Sequence, residues 1–109
     1  METYTQEILA DLLKIWPDVF LYVFGHMGDG NLHLFVSCGQ NDQATRHQVE
    51  EIVFNPLTAI GGSITAEHGV GLEKKAWLHL SRNAAEIALM KRLKEALDPV
   101  GILNPGKIF

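Results

Sequence analysis

With 109 residues, 47% hydrophobic and 20% charged, the chain has the size and composition of one globular domain able to bury a real core. Thirteen acidic against nine basic side chains give a formal charge of −4, which argues against nucleic acid as a partner, because affinity for a phosphate backbone comes from clustered Lys and Arg. The longest apolar run, Val19 to Phe24, is too short to cross a bilayer, the start METYTQE lacks signal-peptide character, and the single Cys38 cannot close an internal disulfide, so a cytoplasmic setting is the default expectation.

There is no repeat, linker or low-complexity tract, and the chain reads as one folded unit with four helical patches and three short extended ones. Thr5 to Trp16 carries Ile8, Leu9, Leu12, Leu13, Ile15 and Trp16 at the period of an amphipathic helix, and Pro17 marks its end. Two β-rich runs follow, Phe20 to Met27 and Asn31 to Cys38, around Gly28, Asp29 and Gly30. Asp42 to Ile60 repeats the helical pattern through Val49, Ile52, Val53 and Leu57, with Asn41 or Asp42 as N-cap, a kink or division at Pro56 and a stop at Gly61 and Gly62. Ser63 to Ala66 reads as a short strand leading to Glu67 and His68 before the break at Gly69 and Gly71. Asn83 to Leu97 is a third amphipathic helix, with Asn83 and Glu86 in capping-box spacing and Asp98, Pro99 and Gly101 ending it.

The hairpin carries the first chemical suggestion. If Asp29 and Gly30 form a two-residue type I′ turn, Met27 faces Leu32 and His26 lies directly opposite His33. Alternation then puts Leu21, Val23, Met27, Leu32, Leu34, Val36 and Cys38 on one face, and Tyr22, Phe24, His26, His33, Phe35 and Ser37 on the other. The first face is a dry core; the second has the makings of a site. Paired side chains have Cβ atoms about 5 Å apart, close enough for two imidazoles to share a metal, although histidines can also simply pack against Phe24 and Phe35. A third ligand decides between these readings, and Glu67, ahead of a glycine-rich break, is the available carboxylate, with a solvated loop position as its alternative. His68 is the natural general base, since imidazole titrates near neutrality, or else a capping or core residue. His47 and His79 read as structural or solvated.

Taken in order, GHMGDGNLH at 25–33, GGSITAEHGVGLEKK at 61–75 and LDPVGILNPGKIF at 97–109 resemble the C-terminal part of the FAD-linked oxidases that oxidise D-2-hydroxy acids, within the vanillyl-alcohol-oxidase-like flavoproteins. D-lactate, D-2-hydroxyglutarate and glycolate dehydrogenases share the pattern. The resemblance implies hydride transfer from the hydroxyl-bearing carbon to FAD, followed by reoxidation of the flavin by a downstream electron acceptor. It implies Zn²⁺ or Mn²⁺ held by His26, His33 and Glu67, a small 2-hydroxy-acid substrate contacted by His26, His33, Phe35 and His68, and His68 as the catalytic base. Asn104, Gly69 and Glu67 fall on the cofactor side. Asn104 also reads as a turn residue, pushed toward an extended backbone by Pro105, with Pro105 and Gly106 suited to a type II turn.

Two departures from the family pattern carry consequences. The large N-terminal domain that holds most of the FAD is absent from these 109 residues, as is the upstream arginine that anchors the substrate carboxylate, so the chain reads as a C-terminal fragment expected to be inactive alone. Phe35 stands where hydroxyglutarate-type members carry a polar residue, which favours a smaller or more hydrophobic acid. The expected architecture is α+β and ferredoxin-like, with an antiparallel sheet around the 20–38 hairpin covered by helices on the Leu21, Val23, Leu34 and Val36 face. An edge strand lost to truncation would leave an open sheet edge able to pair copies into a homodimer. Two other classes fit parts of the pattern: a metal-dependent hydrolase using His26, His33 and Glu67, and a non-catalytic binding or assembly module.

Overall fold

The computed structural model describes residues 1–109 as an α+β chain, dividing into two compact units, 1–56 and 57–109. The division falls beside Pro56, the residue expected to break the second helical pattern. No helix is long and apolar enough to cross a membrane.

In the first unit, helix α1 spans Glu2–Ile15, strands β1 and β2 span Phe20–His26 and Asn31–Ser37, and helix α2 spans Gln43–Phe54. Tyr4, Ile8, Leu12 and Trp16 recur every fourth residue, so α1 presents one apolar stripe, on which Ile8 and Leu12 are 1% and 0% exposed. They pack with Val53, Val49 and Ile52 of α2 and with Leu21, Leu34 and Val36 of the hairpin. The Tyr4 hydroxyl donates to the Val53 carbonyl at 2.7 Å, satisfying an acceptor at the end of α2 that has no partner within the helix. Asp42 is the N-cap of α2, its carboxylate accepting the Thr45 N–H at 2.8 Å. As expected, α2 stops short of Pro56, which lies in a 3-10 turn over Asn55–Leu57.

The hairpin register differs from the expected one. Phe24 faces His33 and His26 faces Asn31, a shift of two positions, because the connection is a longer loop over residues 27–30. A type I′ turn needs positive φ at both central residues, and here Gly30 has φ 71° while Asp29 does not share it; the Asp29 carboxylate instead accepts the Asn31 N–H at 3.2 Å. A shift of two preserves which residues share a face. The helices cover that face only in part: Leu21, Leu34 and Val36 join the core, but Val23 is 37% and Met27 93% exposed.

In the second unit, a 3-10 helix spans Lys75–Leu80 and helix α3 spans Ala84–Leu97. Leu57, Ile64, Trp77 and Leu78 are buried, whereas α3 has no buried residue and begins with the expected capping box between Asn83 and Glu86. The strand expected over Ser63 to Ala66 is absent. Side-chain hydroxyls have taken the backbone groups that a ladder would use: Ser81 Oγ accepts the Ile64 N–H at 2.8 Å, and Ser63 Oγ donates to the Thr65 carbonyl at 2.7 Å.

Candidate functional site

The hairpin presents Tyr22, Phe24, His26, His33 and Phe35 on its outward face. Phe35 is 70% and Phe24 46% exposed, so this is an open aromatic surface. His33 stacks on its cross-strand partner Phe24, ring centroids 4.9 Å apart and planes 7° from parallel. His26 meets His33 edge to face with centroids 6.0 Å apart. The two histidines are thus diagonal neighbours rather than a directly opposed pair, and packing against Phe24 and closeness to a second imidazole hold together for His33. Ligating nitrogens of His26 and His33 lie within 4.8 Å. Shared tetrahedral coordination sets such nitrogens about 3.3 Å apart, a difference that side-chain rotation on an open face can close.

Gly25, the first residue of the 25–33 motif, alternates onto the opposite face beside Leu32, and the sequence reading gave it no role of its own. A Cβ there would lie 2.0 Å from the Asn31 carbonyl oxygen, so only glycine lets the strands approach where β1 delivers His26. The available signal was a glycine inside a strand pattern, which often marks close backbone approach.

In the second unit, the Thr65 hydroxyl donates to the Gly69 carbonyl at 2.7 Å and accepts from Lys74 Nζ at 3.3 Å. This closes a loop around Ala66, Glu67 and His68, turned at Gly69 and Gly71, with φ 73° and 56°. On an extended backbone, neighbours such as Glu67 and His68 would point to opposite sides. In the turn they adopt, His68 Nε2 is 3.6 Å from Glu67 Oε1, and both side chains are exposed. His47 and His79 lie exposed elsewhere.

The C-terminal segment completes the set. Asn104 has φ 47°, left-handed rather than the extended backbone expected before Pro105, while Gly106, with φ 75°, fits the expected type II turn. Lys107 N–H donates to the Asn104 carbonyl at 3.4 Å and Lys107 Nζ to Asn104 Oδ1 at 3.3 Å.

Comparison with known proteins places these segments. The family model for the C-terminal domain of FAD-linked oxidases matches residues 4–108. A D-2-hydroxyglutarate dehydrogenase of Xanthomonas citri pv. viticola is 45% identical, over 100% of this chain and 24% of that relative. One from Stutzerimonas stutzeri is 42% identical over 97% of this chain and 24% of its own length, and the glycolate oxidase subunit GlcD of Bacillus subtilis is 41% identical over 84% and 20%. The chain therefore spans about a quarter or less of the length of these curated relatives.

Proposed function

The chain belongs to the C-terminal domain family of FAD-linked oxidases, and from that premise we propose that it serves a flavoprotein that oxidises a D-2-hydroxy acid to the 2-oxo acid. The observation that carries the reading is the approach of His26 and His33 on the exposed hairpin face, in a chain whose relatives include D-2-hydroxyglutarate dehydrogenases and a glycolate oxidase subunit. The activity is that of a longer polypeptide: a separate N-terminal domain holds most of the FAD, and an electron acceptor reoxidises it.

In this proposal His26, His33 and Glu67 hold a Zn²⁺ or Mn²⁺ ion. The donor set fits such a group, since two imidazoles and a carboxylate suit either ion and leave positions for substrate oxygens. When bound, the ion would supply Lewis acidity toward the substrate hydroxyl, and FAD would supply the acceptor for the adjacent hydrogen with its electron pair, as hydride. His68 takes the hydroxyl proton as that C–H bond breaks and the C=O bond forms. Phe35 supplies an apolar wall that favours a smaller or more hydrophobic acid, and Asn104, Gly69 and Glu67 are the residues that would contact the flavin.

The metal step is tested on this chain alone by Zn²⁺ and Mn²⁺ titration beside His33→Ala. Saturable one-to-one binding that vanishes in the variant is expected; equal, negligible binding by both overturns the ligand assignment. The oxidation is tested by placing this chain in the Stutzerimonas stutzeri dehydrogenase in place of the segment it matches. Bleaching of the flavin by D-2-hydroxyglutarate or D-lactate, abolished by His68→Ala, is expected, and a folded, FAD-loaded chimera that neither acid bleaches overturns the functional reading.

A further inference from the structure

Outside glycine, positive φ occurs at two residues, Asn104 and Ile108 at 47° and 74°, and both lie in the C-terminal tail. Left-handed backbone is tolerated by Asn and is an outlier for β-branched Ile, so it persists where the surroundings over-determine it. Two straps do so here. At the near end the buried Asp98 accepts the Ile102 N–H at 3.1 Å and the Leu103 N–H at 2.9 Å, and the Lys94 ammonium bridges the same carboxylate and the Leu103 carbonyl. At the far end Lys75 Nζ donates to the Gly106 carbonyl and the Ile108 N–H to the Gly71 carbonyl, at 2.7 and 2.8 Å. Ending α3 does not require this, because the C-cap Asp98, with φ −136° ahead of Pro99, has already left the helix, and the turn that follows is closed by the Gly101 N–H on the Asp98 carbonyl at 3.1 Å. Both anchors of the far strap come from the segment that carries Glu67 and His68.

We propose that Lys75, Lys94 and Asp98 are positioning residues for the oxidation: they pin the tail on both sides of Asn104 and tie it to the Glu67–His68 segment, so that groups distant in sequence meet flavin and substrate in one fixed geometry. The inference rests on the functional reading for what Asn104 contacts; the strapping is a property of this chain.

The test has two arms. In the chain itself, Lys75→Met removes an exposed donor and spares the fold, which Trp77 emission verifies. Amide exchange at Ile108 is expected to quicken about tenfold while Ile87 in α3 changes less than about twofold, and Lys75→Arg restores protection. Asp98→Ala, which removes the acceptor, is expected to free the amides of Ile102 and Leu103 in the same way. Unchanged exchange in both variants overturns the straps. In the chimera, Lys75→Met is expected to slow flavin reduction about tenfold with FAD retained and KM within about threefold, and Lys75→Arg to recover it. A loosened tail with an unchanged reduction rate overturns the positioning role alone, whereas a chimera inactive before any substitution overturns the functional reading on which that role depends.

Discussion

Residues 1–56 place an uninterrupted apolar stripe of α1 against α2 and one hairpin face, with Ile8 and Leu12 sealed from solvent. Residues 57–109 hold a 14-residue helix with no buried side chain, and their loops are fixed by hydroxyls, lysines and a carboxylate bonded to backbone groups. The first unit is ordered chiefly by removing apolar area from water, worth about 1.5–3 kcal/mol per fully buried Leu or Ile. The second buries Leu57, Ile64, Trp77 and Leu78 outside α3 and fixes its loops with hydrogen bonds, each worth about 0.5–1.5 kcal/mol net. Low burial accompanies low local stability, and segments that must admit ligands are drawn from that end of the range. Glu67, His68, Gly69 and Asn104 lie in such hydrogen-bonded loops, whereas His26, His33 and Phe35 lie on the outward face of the first unit's hairpin, opposite its packed face.

The largest effect that separates the units is expected from Leu12→Ala. Truncating a sealed leucine costs about 2–5 kcal/mol, read as a fall in unfolding free energy at Trp16 in a Trp77→Phe background. Leu93, 54% exposed on α3, offers the contrast: Leu93→Gln is expected to stay within about 0.5 kcal/mol at Trp77 in a Trp16→Phe background. Equal costs for the two leucines would erase the distinction between the packed helix α1 and the exposed helix α3. Gly25→Ala comes next. Its Cβ meets backbone, not a movable side-chain end, so the strands must part, at about 1–3 kcal/mol. The variant is also expected to weaken Zn²⁺ binding, and unaltered stability and titration together would show that the strand approach does not matter. Asn83→Ala follows, at about 1 kcal/mol. It is read as lost ellipticity at 222 nm, because a helix without buried residues lacks packing to replace its cap.

Much of this was legible in the sequence where one local rule acts alone. The α1 stripe, the Asp42 and Asn83 caps, the break at Pro56 and the Gly106 turn each depend on residues within about one helical turn. Legibility failed where two rules competed. Asp29–Gly30 satisfies the composition of a two-residue turn, but the φ of Asp29 selects a longer loop and moves His26 from opposite His33 to its diagonal. Ser63 to Ala66 alternates like a strand, yet Ser81, distant in sequence, captures the Ile64 amide. Asn104 precedes a proline that favours extended backbone, and the straps from Asp98 and Lys75 hold a different conformation. Face assignment survived the register error because side-chain alternation has period two, so the grouping of His26, His33 and Phe35 stood even when their pairing did not.

The smallest effects are those of pH, and they act at opposite ends of the scale. Burial pushes the Tyr4 hydroxyl from 10.0 up to about 12, so between those values the folded chain keeps a proton that the unfolded chain releases. The stabilisation is complete below pH 10 and is lost as pH rises through about 12, with the Cys38 thiol, also raised by burial, acting in the same direction. Asp98 moves the other way, from 3.8 down to about 2, held by the Lys94 ammonium first and then by the Leu103 amide. Its stabilisation is complete above the ordinary carboxylate range and is lost as pH falls through about 2. Asp42, lowered by the Thr45 N–H, gives the first unit an acid-side loss too, so the alkaline limb and the substitutions carry the discrimination. In unfolding titrations, Tyr4→Phe is expected to flatten most of the alkaline loss at Trp16, at a cost near neutrality of about 0.5–1.5 kcal/mol for the lost bond to Val53, and to leave Trp77 unmoved. Asp98→Asn is expected to flatten the acid loss at Trp77 and leave the alkaline limb at Trp16 intact. An alkaline limb that Tyr4→Phe leaves unchanged would show that its hydroxyl does not sense the burial on which the first unit depends.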